Sequence, residues 1–139
     1  MPQPITQSVS SIDLSTRFQS YKTVDASPSA GTETVIATLT LAGWGDMAVV
    51  AGVRIRGWAA FTVGTSGVSA NLRIRQTNSS GTIIAATGAI TVTAGNLYET
   101  SVNGFDAGAG VGTYVLTLTV GSGAAASTVS ALLLEAIII

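Results

Sequence analysis

Four of the six cationic side chains in this sequence fall in two Arg-Ile-Arg triplets, Arg54/Arg56 and Arg73/Arg75. Residues two apart on an extended strand share a face, so each triplet sets two guanidinium groups side by side and turns its isoleucine the other way. Trp58 continues the first row. Arg and Trp are frequent anchors of protein interfaces, and one reading of Arg54, Arg56, Trp58, Arg73 and Arg75 is a patch that docks on an acidic partner protein. The other reading is internal: neighbouring strands supply Glu33, Glu99 or Glu135, and Trp58 stacks on Arg73 in an ordinary cation-π contact of about 0.5 to 1 kcal/mol. Nucleic acid is a poor match, because four arginines on a chain of net charge -1 leave a weak electrostatic footprint.

The remaining chemistry is sparse. The seven acids, Asp13, Asp25, Glu33, Asp46, Glu99, Asp106 and Glu135, never cluster along the chain, whereas a glycosidase pair needs two carboxylates within about 5 to 10 Å of each other. Asp46 and Asp106, each beside glycine and an aromatic residue, read as solvated turn acids, and the strand acids read as partners for the arginines. The chain has no His and no Cys, so it lacks an imidazole base, a thiol nucleophile, a disulfide framework and a Cys/His metal site. We therefore expect no enzymatic activity, no cofactor, no metal and no small-molecule substrate. The run Gly108-Ala-Gly-Val-Gly112 precedes a strand where a phosphate loop would open a helix, so it reads as a connection. Asn78-Ser79-Ser80 has the glycosylation pattern but reads as a turn before Gly81.

The elements that must position these residues are strands. β-branched residues alternate with small polar ones, and glycine turns interrupt them at short intervals, the mark of an all-β sandwich or barrel. The pattern predicts strands over Phe18 to Val24, Glu33 to Leu41, Ala48 to Val63, Val68 to Gln76, Thr82 to Ala86, Ala89 to Thr93, Leu97 to Val102, Val111 to Val120 and Thr128 to Ile138. They number eight or nine, depending on whether the pair around Thr87-Gly88 is one bent strand. The loop Gly64-Thr65-Ser66-Gly67 suggests a hairpin that pairs Val63 with Val68 and sets Arg56 opposite Arg75. Val35, Ala37, Leu39 and Leu41 fall on one face of their strand, as do Tyr114, Leu116, Leu118 and Val120 of theirs; threonines dominate the opposite faces.

Only 9% of the 139 residues are charged, against about 25% in an ordinary domain. A single domain of this mass exposes roughly 6,700 Å², too bland a surface to stay apart from its own kind. Residues 131–139 are apolar on both faces. The strand they form lies either centrally in a sheet or against another subunit, and Leu132, Leu133, Leu134, Ile137, Ile138 and Ile139 are the expected oligomer contact. Residues 1–30, before a domain over 31–139, read either as a frayed terminus or as an N-terminal arm that orders when it docks on a neighbour, with Ile5, Val9, Ile12 and Leu14 as the expected docking positions of such an arm. Membrane insertion is not expected: Gly-Ser-Gly at 121–123 interrupts the longest uncharged stretch, and the six remaining Tyr and Phe with two Trp are too few for the girdles of a barrel.

Three segments carry a family resemblance: Arg54-Ile-Arg-Gly-Trp-Ala-Ala-Phe-Thr-Val-Gly-Thr-Ser-Gly, Leu72-Arg-Ile-Arg-Gln-Thr-Asn-Ser-Ser-Gly-Thr and Gly112-Thr-Tyr-Val-Leu-Thr-Leu-Thr-Val. Over residues 33 to 139 the chain resembles the small jelly-roll proteins of tailed-phage virions, including trimeric capsid decoration or cement proteins. The resemblance is one of strand grammar and length. It implies an antiparallel jelly-roll sandwich and a homotrimer. It further implies a structural role on the capsid surface, bound to the major capsid protein of the virion after synthesis in the host cytoplasm. The chain is also similar to trimeric fibre-tip domains, which implies host-receptor binding through loops as the alternative; a hydrolase stands third.

Overall fold

The computed structural model describes residues 18–41, 51–107 and 112–139. These form nine strands and, among the described residues, no helix: β1 (Phe18–Tyr21), β2 (Glu33–Thr40), β3 (Gly52–Val63), β4 (Ser69–Gln76), β5 (Ile83–Ala86), β6 (Ile90–Thr91), β7 (Tyr98–Ala107), β8 (Thr113–Val120) and β9 (Ser127–Ile138). The pairs β1·β9, β2·β8, β3·β7 and β4·β5 are antiparallel and nested, like one long hairpin. Winding that hairpin deals its strands into two sheets, β1-β9-β3-β7 and β2-β8-β4-β5, with β6 also on β4. This is an antiparallel jelly roll.

Each sheet has one apolar face, and burying the two together makes the core. Ile55, Phe61 and Leu134 of the first sheet meet Leu72, Tyr114 and Leu116 of the second, all fully buried. Gly57 interrupts the inward row of β3 for a steric reason: a Cβ there would stand 2.5 Å from Leu116 Cδ1 and 3.3 Å from Val102 Cγ1.

The expected β3–β4 hairpin is not formed. β3 pairs β7 and β9, while β4 pairs β8, β5 and β6 in the opposite sheet. Val53, Ile55, Phe61 and Val63 do share a face with a counterpart in Ala70, Leu72 and Ile74, but the two rows meet across the core rather than edge to edge. Residues 64–67 form the corner: Gly64 N–H donates to Ala126 O at 2.9 Å, and Gly67, at φ +82°, donates to Val92 O at 2.9 Å. Alternation has the same phase in both arrangements, so it could not separate them.

Bulges decide which face several residues reach. Between Val35 and Ala37 the register on β8 shifts, leaving Ile36 as the extra residue. Val35 then lies on the outer face with Thr117, while Ala37 and Leu39 turn inward with Leu116 and Tyr114. The single apolar face expected for Val35, Ala37, Leu39 and Leu41 is thus broken at Val35, because one inserted residue reverses the phase. A second bulge, at Ser130 of β9, lets Val129 and Leu132 both face the core.

β5 and β6 are two pieces of one edge along β4. At the break, Leu72 N–H donates to Thr87 Oγ1 at 2.9 Å and Thr87 N–H donates to Leu72 O at 2.9 Å. The hydroxyl stands where a ladder carbonyl would be. At the other end of the chain, β1 begins at Phe18, inside the 1–30 segment read as a frayed terminus or a docking arm. Asp25 N–H donates to Ile36 O at 2.8 Å and Ala30 bridges Val120, so residues 22–30 also stay on the sandwich. Backbone pairing, which the sparse apolar residues did not advertise, ties this stretch down. Ile5, Val9, Ile12 and Leu14 lie outside the described residues, as do Asp13, Asp46 and residues 108–111 of the glycine run.

Candidate docking surface

The two outer faces of the sandwich differ in kind. On the β2-β8-β4-β5 sheet the bulge at Ile36 sets the terms. Unbroken alternation would carry Glu33 inward with Ala37 and Leu39; the inserted residue turns it outward, opposite Thr119 and beside Thr117. There Arg73 Nη1 donates to Glu33 Oε1 at 2.7 Å, and Arg75 grips both carboxylate oxygens, Nε to Oε2 at 2.5 Å and Nη2 to Oε1 at 2.9 Å. Thr117 Oγ1 adds a bond to Oε2 at 2.7 Å, and Arg75 Nη1 donates to Gly81 O at 2.7 Å.

The Arg75 fork is the chief cause that lowers the Glu33 carboxyl from the usual 4.5 to about 2; Thr117 and Arg73 assist and partial burial opposes. The same pairing raises the Arg75 guanidinium above its ordinary value. Bidentate, charge-assisted bonds of this kind are the strong class. One carboxylate therefore answers two arginines, and Arg73 and Arg75 are satisfied within the chain.

Among the described residues, no strand lies over the outer face of the β1-β9-β3-β7 sheet. Its registers set side chains in rows: Phe18, Ile137, Arg54 and Phe105; then Ser20, Glu135, Arg56 and Asn103; then Leu133, Trp58 and Ser101; then Ala131, Ala60 and Glu99. Phe18 is 56% exposed and Phe105 51%. Arg56 lies 3.8 Å from Glu135, with its side chain 56% exposed, a loose surface pair contributing about 0 to 1 kcal/mol. Arg54 has no ion-pair partner among the described residues. The result is a mixed surface in which Phe18, Phe105, Trp58, Leu133 and Ile137 stand around Arg54 and Arg56 of the inner strand β3, residue types frequent at protein interfaces.

The four arginines are thus divided between opposite sides of the molecule. Arg56 lies between Asn103 and Glu135, not across from Arg75, and Trp58 lies between Ser101 and Leu133, not over Arg73. Both corrections follow from the sheet assignment of β3 and β4. β9 is a central strand, flanked by β1 and β3. Its two-sided apolar character divides accordingly: Leu132, Leu134 and Ile138 fill the chain's own core, Leu133 and Ile137 lie half-buried on the outer face, and Ile139 is 44% exposed.

Asp106 is not a solvated turn acid. β7 runs on past Val102, and Asp106 lies buried on its inner side, accepting from Tyr114 Oη at 2.7 Å and Gln76 Nε2 at 3.0 Å. Among the described residues, no group of three or more His, Cys, Asp or Glu side chains could hold a metal ion. Phe18 and Phe105 were not singled out in the sequence; their signal is parity with Arg54 once the pairing is known.

No family model and no curated protein matches the chain. Solved structures do match. The VP2 subviral particle of infectious bursal disease virus gives a TM-score of 0.56 at 14% identity, over 88% of this chain and 33% of that one. The T13 particle of the same virus gives 0.57 at 12% identity, over 88% and 31%. The Gx strain gives 0.56 at 13% identity, over 87% and 33%. The chain spans about a third of the length of these capsid proteins. What it shares with them is the fold: the chain is a β sandwich of the kind found in viral capsid proteins.

Proposed function

We propose that the chain is a structural protein of a virion, a capsid decoration protein that sits as a trimer on the outer surface of a phage head. Its partners are its own copies and the major capsid protein. The observation that carries this reading is the outer face of the β1-β9-β3-β7 sheet, where Phe18, Phe105 and Arg54 are exposed and Trp58, Leu133 and Ile137 half-buried, with no further strand over them among the described residues, on a chain with 9% charged residues. The likeness in fold to viral capsid β-domains supports it. Mechanistically, a protein that binds only the assembled shell stabilises that shell by mass action, by about 2.7 kcal/mol at a hundredfold excess over Kd.

The test is co-sedimentation of purified chain with undecorated phage heads, followed by the thermal stability of the heads. Wild-type chain raises the temperature of head disruption, and Trp58→Ala with Arg54→Ala removes both binding and protection. A double variant that still binds and protects as wild type refutes the assignment to this face.

A further inference from the structure

The four sheet edges of the sandwich are not equally protected. β1 is four residues long; β2 is bulged at Ile36; the β5/β6 edge is bulged at Ile84 and broken around Thr87. Shortness, bulges and breaks are the usual devices against edge-to-edge pairing. β7 has none of them. It runs ten residues, in unbroken register on β3 from Gly52↔Ala107 to Phe61↔Tyr98, with no Pro, Lys or Arg. Its one inward charge, Asp106, is taken up by Tyr114 and Gln76. Among the described residues, no backbone group pairs with its outer edge. Alternate residues there present N–H and C=O groups ready for another strand.

We infer that β7 pairs antiparallel with β7 of a second copy about a two-fold axis at Ser101. Every two-fold register pairs the strand with itself in this reciprocal way; the axis at Ser101 is the one that brings the exposed apolar residues together. Carried one residue beyond the start of β7, it sets Leu97, 61% exposed, opposite Phe105, 51% exposed. It sets Glu99 opposite Asn103 and leaves no like charges facing each other. On the inner side it sets Tyr98, stacked on Phe61 of its own chain, opposite Gly104, which is packed under Ile84 and Ala85 of its own chain, so neither has to move. The pairing joins two four-stranded sheets into one and doubles the outer face. A single face, four strands wide and Arg54 to Ala60 long, covers about 400 Å² at ordinary strand spacing. The doubled face reaches the roughly 800 Å² per partner of a standard stable interface.

The inference goes beyond the decoration reading and needs no capsid to test. The chain has no cysteine, so Ser101→Cys introduces one thiol at the axis, on an exposed side chain. Directly opposed residues have Cα atoms about 4.5 to 5.5 Å apart, within disulfide reach. Mild oxidation of Ser101→Cys is expected to give a covalent pair in high yield. Asn103→Cys, whose copies would stand about 13 Å apart, gives little. Light scattering supplies the second arm: Ser101→Lys, which sets two charges face to face, halves the particle mass, and mixing it with Ser101→Asp restores that mass. Cross-linking that favours position 103, or a mass unmoved by Ser101→Lys, overturns the inference. Heads that bind a chain failing these tests leave the decoration reading standing; a chain that passes them but binds no heads removes that reading alone.

Discussion

Replacing Glu33 by Gln tests the account of the closed face at its hub. The substitution keeps size and one acceptor oxygen but removes the charge between Arg73 and Arg75, which lie on the same face with side chains 28% and 15% exposed. The folded carboxyl sits at about 2 against an ordinary 4.5. That difference of about 2.5 pH units corresponds to about 3.4 kcal/mol as an upper figure. Residual exposure of 16% at Glu33 and the acceptor that Gln retains reduce the expected loss to about 2 to 3 kcal/mol. A chain of this length loses about 4 °C of Tm per kcal/mol, so the variant should melt roughly 8 to 12 °C lower.

The dependence on pH carries a definite sign. The folded carboxyl is the stronger acid, so its stabilisation is fully present above the unfolded value near 4.5 and is lost as pH falls toward 2. Urea unfolding of both proteins from pH 7 to pH 3 should show a constant difference down to about pH 5.5, with about two fifths of it left at pH 3. A difference below about 0.5 kcal/mol at pH 7, or one unchanged at pH 3, would refute the reasoning.

Two further substitutions probe the scaffold. Thr87→Val keeps the shape but strips the acceptor from the N–H of fully buried Leu72; denaturant unfolding should report a loss of about 1 to 3 kcal/mol, and faster amide exchange at Leu72 would locate it. Gly57→Ala pushes a methyl against Leu116 and should cost about 1 to 3 kcal/mol. Combined with Leu116→Val, it should cost less than the sum of the two single changes, and strict additivity would show that Leu116 is not the obstacle.

What the sequence disclosed and what it withheld divide along physical lines. Strand positions were legible because each strand has one wet and one buried face; Gly52–Val63 and Thr113–Val120 fall within the spans read from alternation. Which strand lies beside which was not, since Ile55 and Leu72 have the same phase whether their strands are neighbours in one sheet or face each other across the core. The role of Glu33 was half legible: its charge complements Arg73 and Arg75. The bulge that brings it to them is a backbone insertion at Ile36 with no Gly or Pro to announce it. Phe18 and Phe105 escaped notice because an exposed aromatic residue in a strand looks, in sequence, like any core residue, and only the register on Ile137 and Arg54 places them together.

The nested pairing of the strands also governs time. Among the described residues, β1 finds its ladder partner in β9, at the far end of the chain, and β2 waits for β8. Of the described ladders, only those of β4 with β5 and β6 join nearby sequence. Every other ladder must close a long loop before any contact rewards it, which places the chain among the slow folders. As it emerges from the ribosome, β3 is made well before either of its neighbours, β7 and β9. During that interval both of its edges and its buried row stand open. A chain with so few charges to keep copies apart meets its greatest hazard then, before it has a fold to protect it.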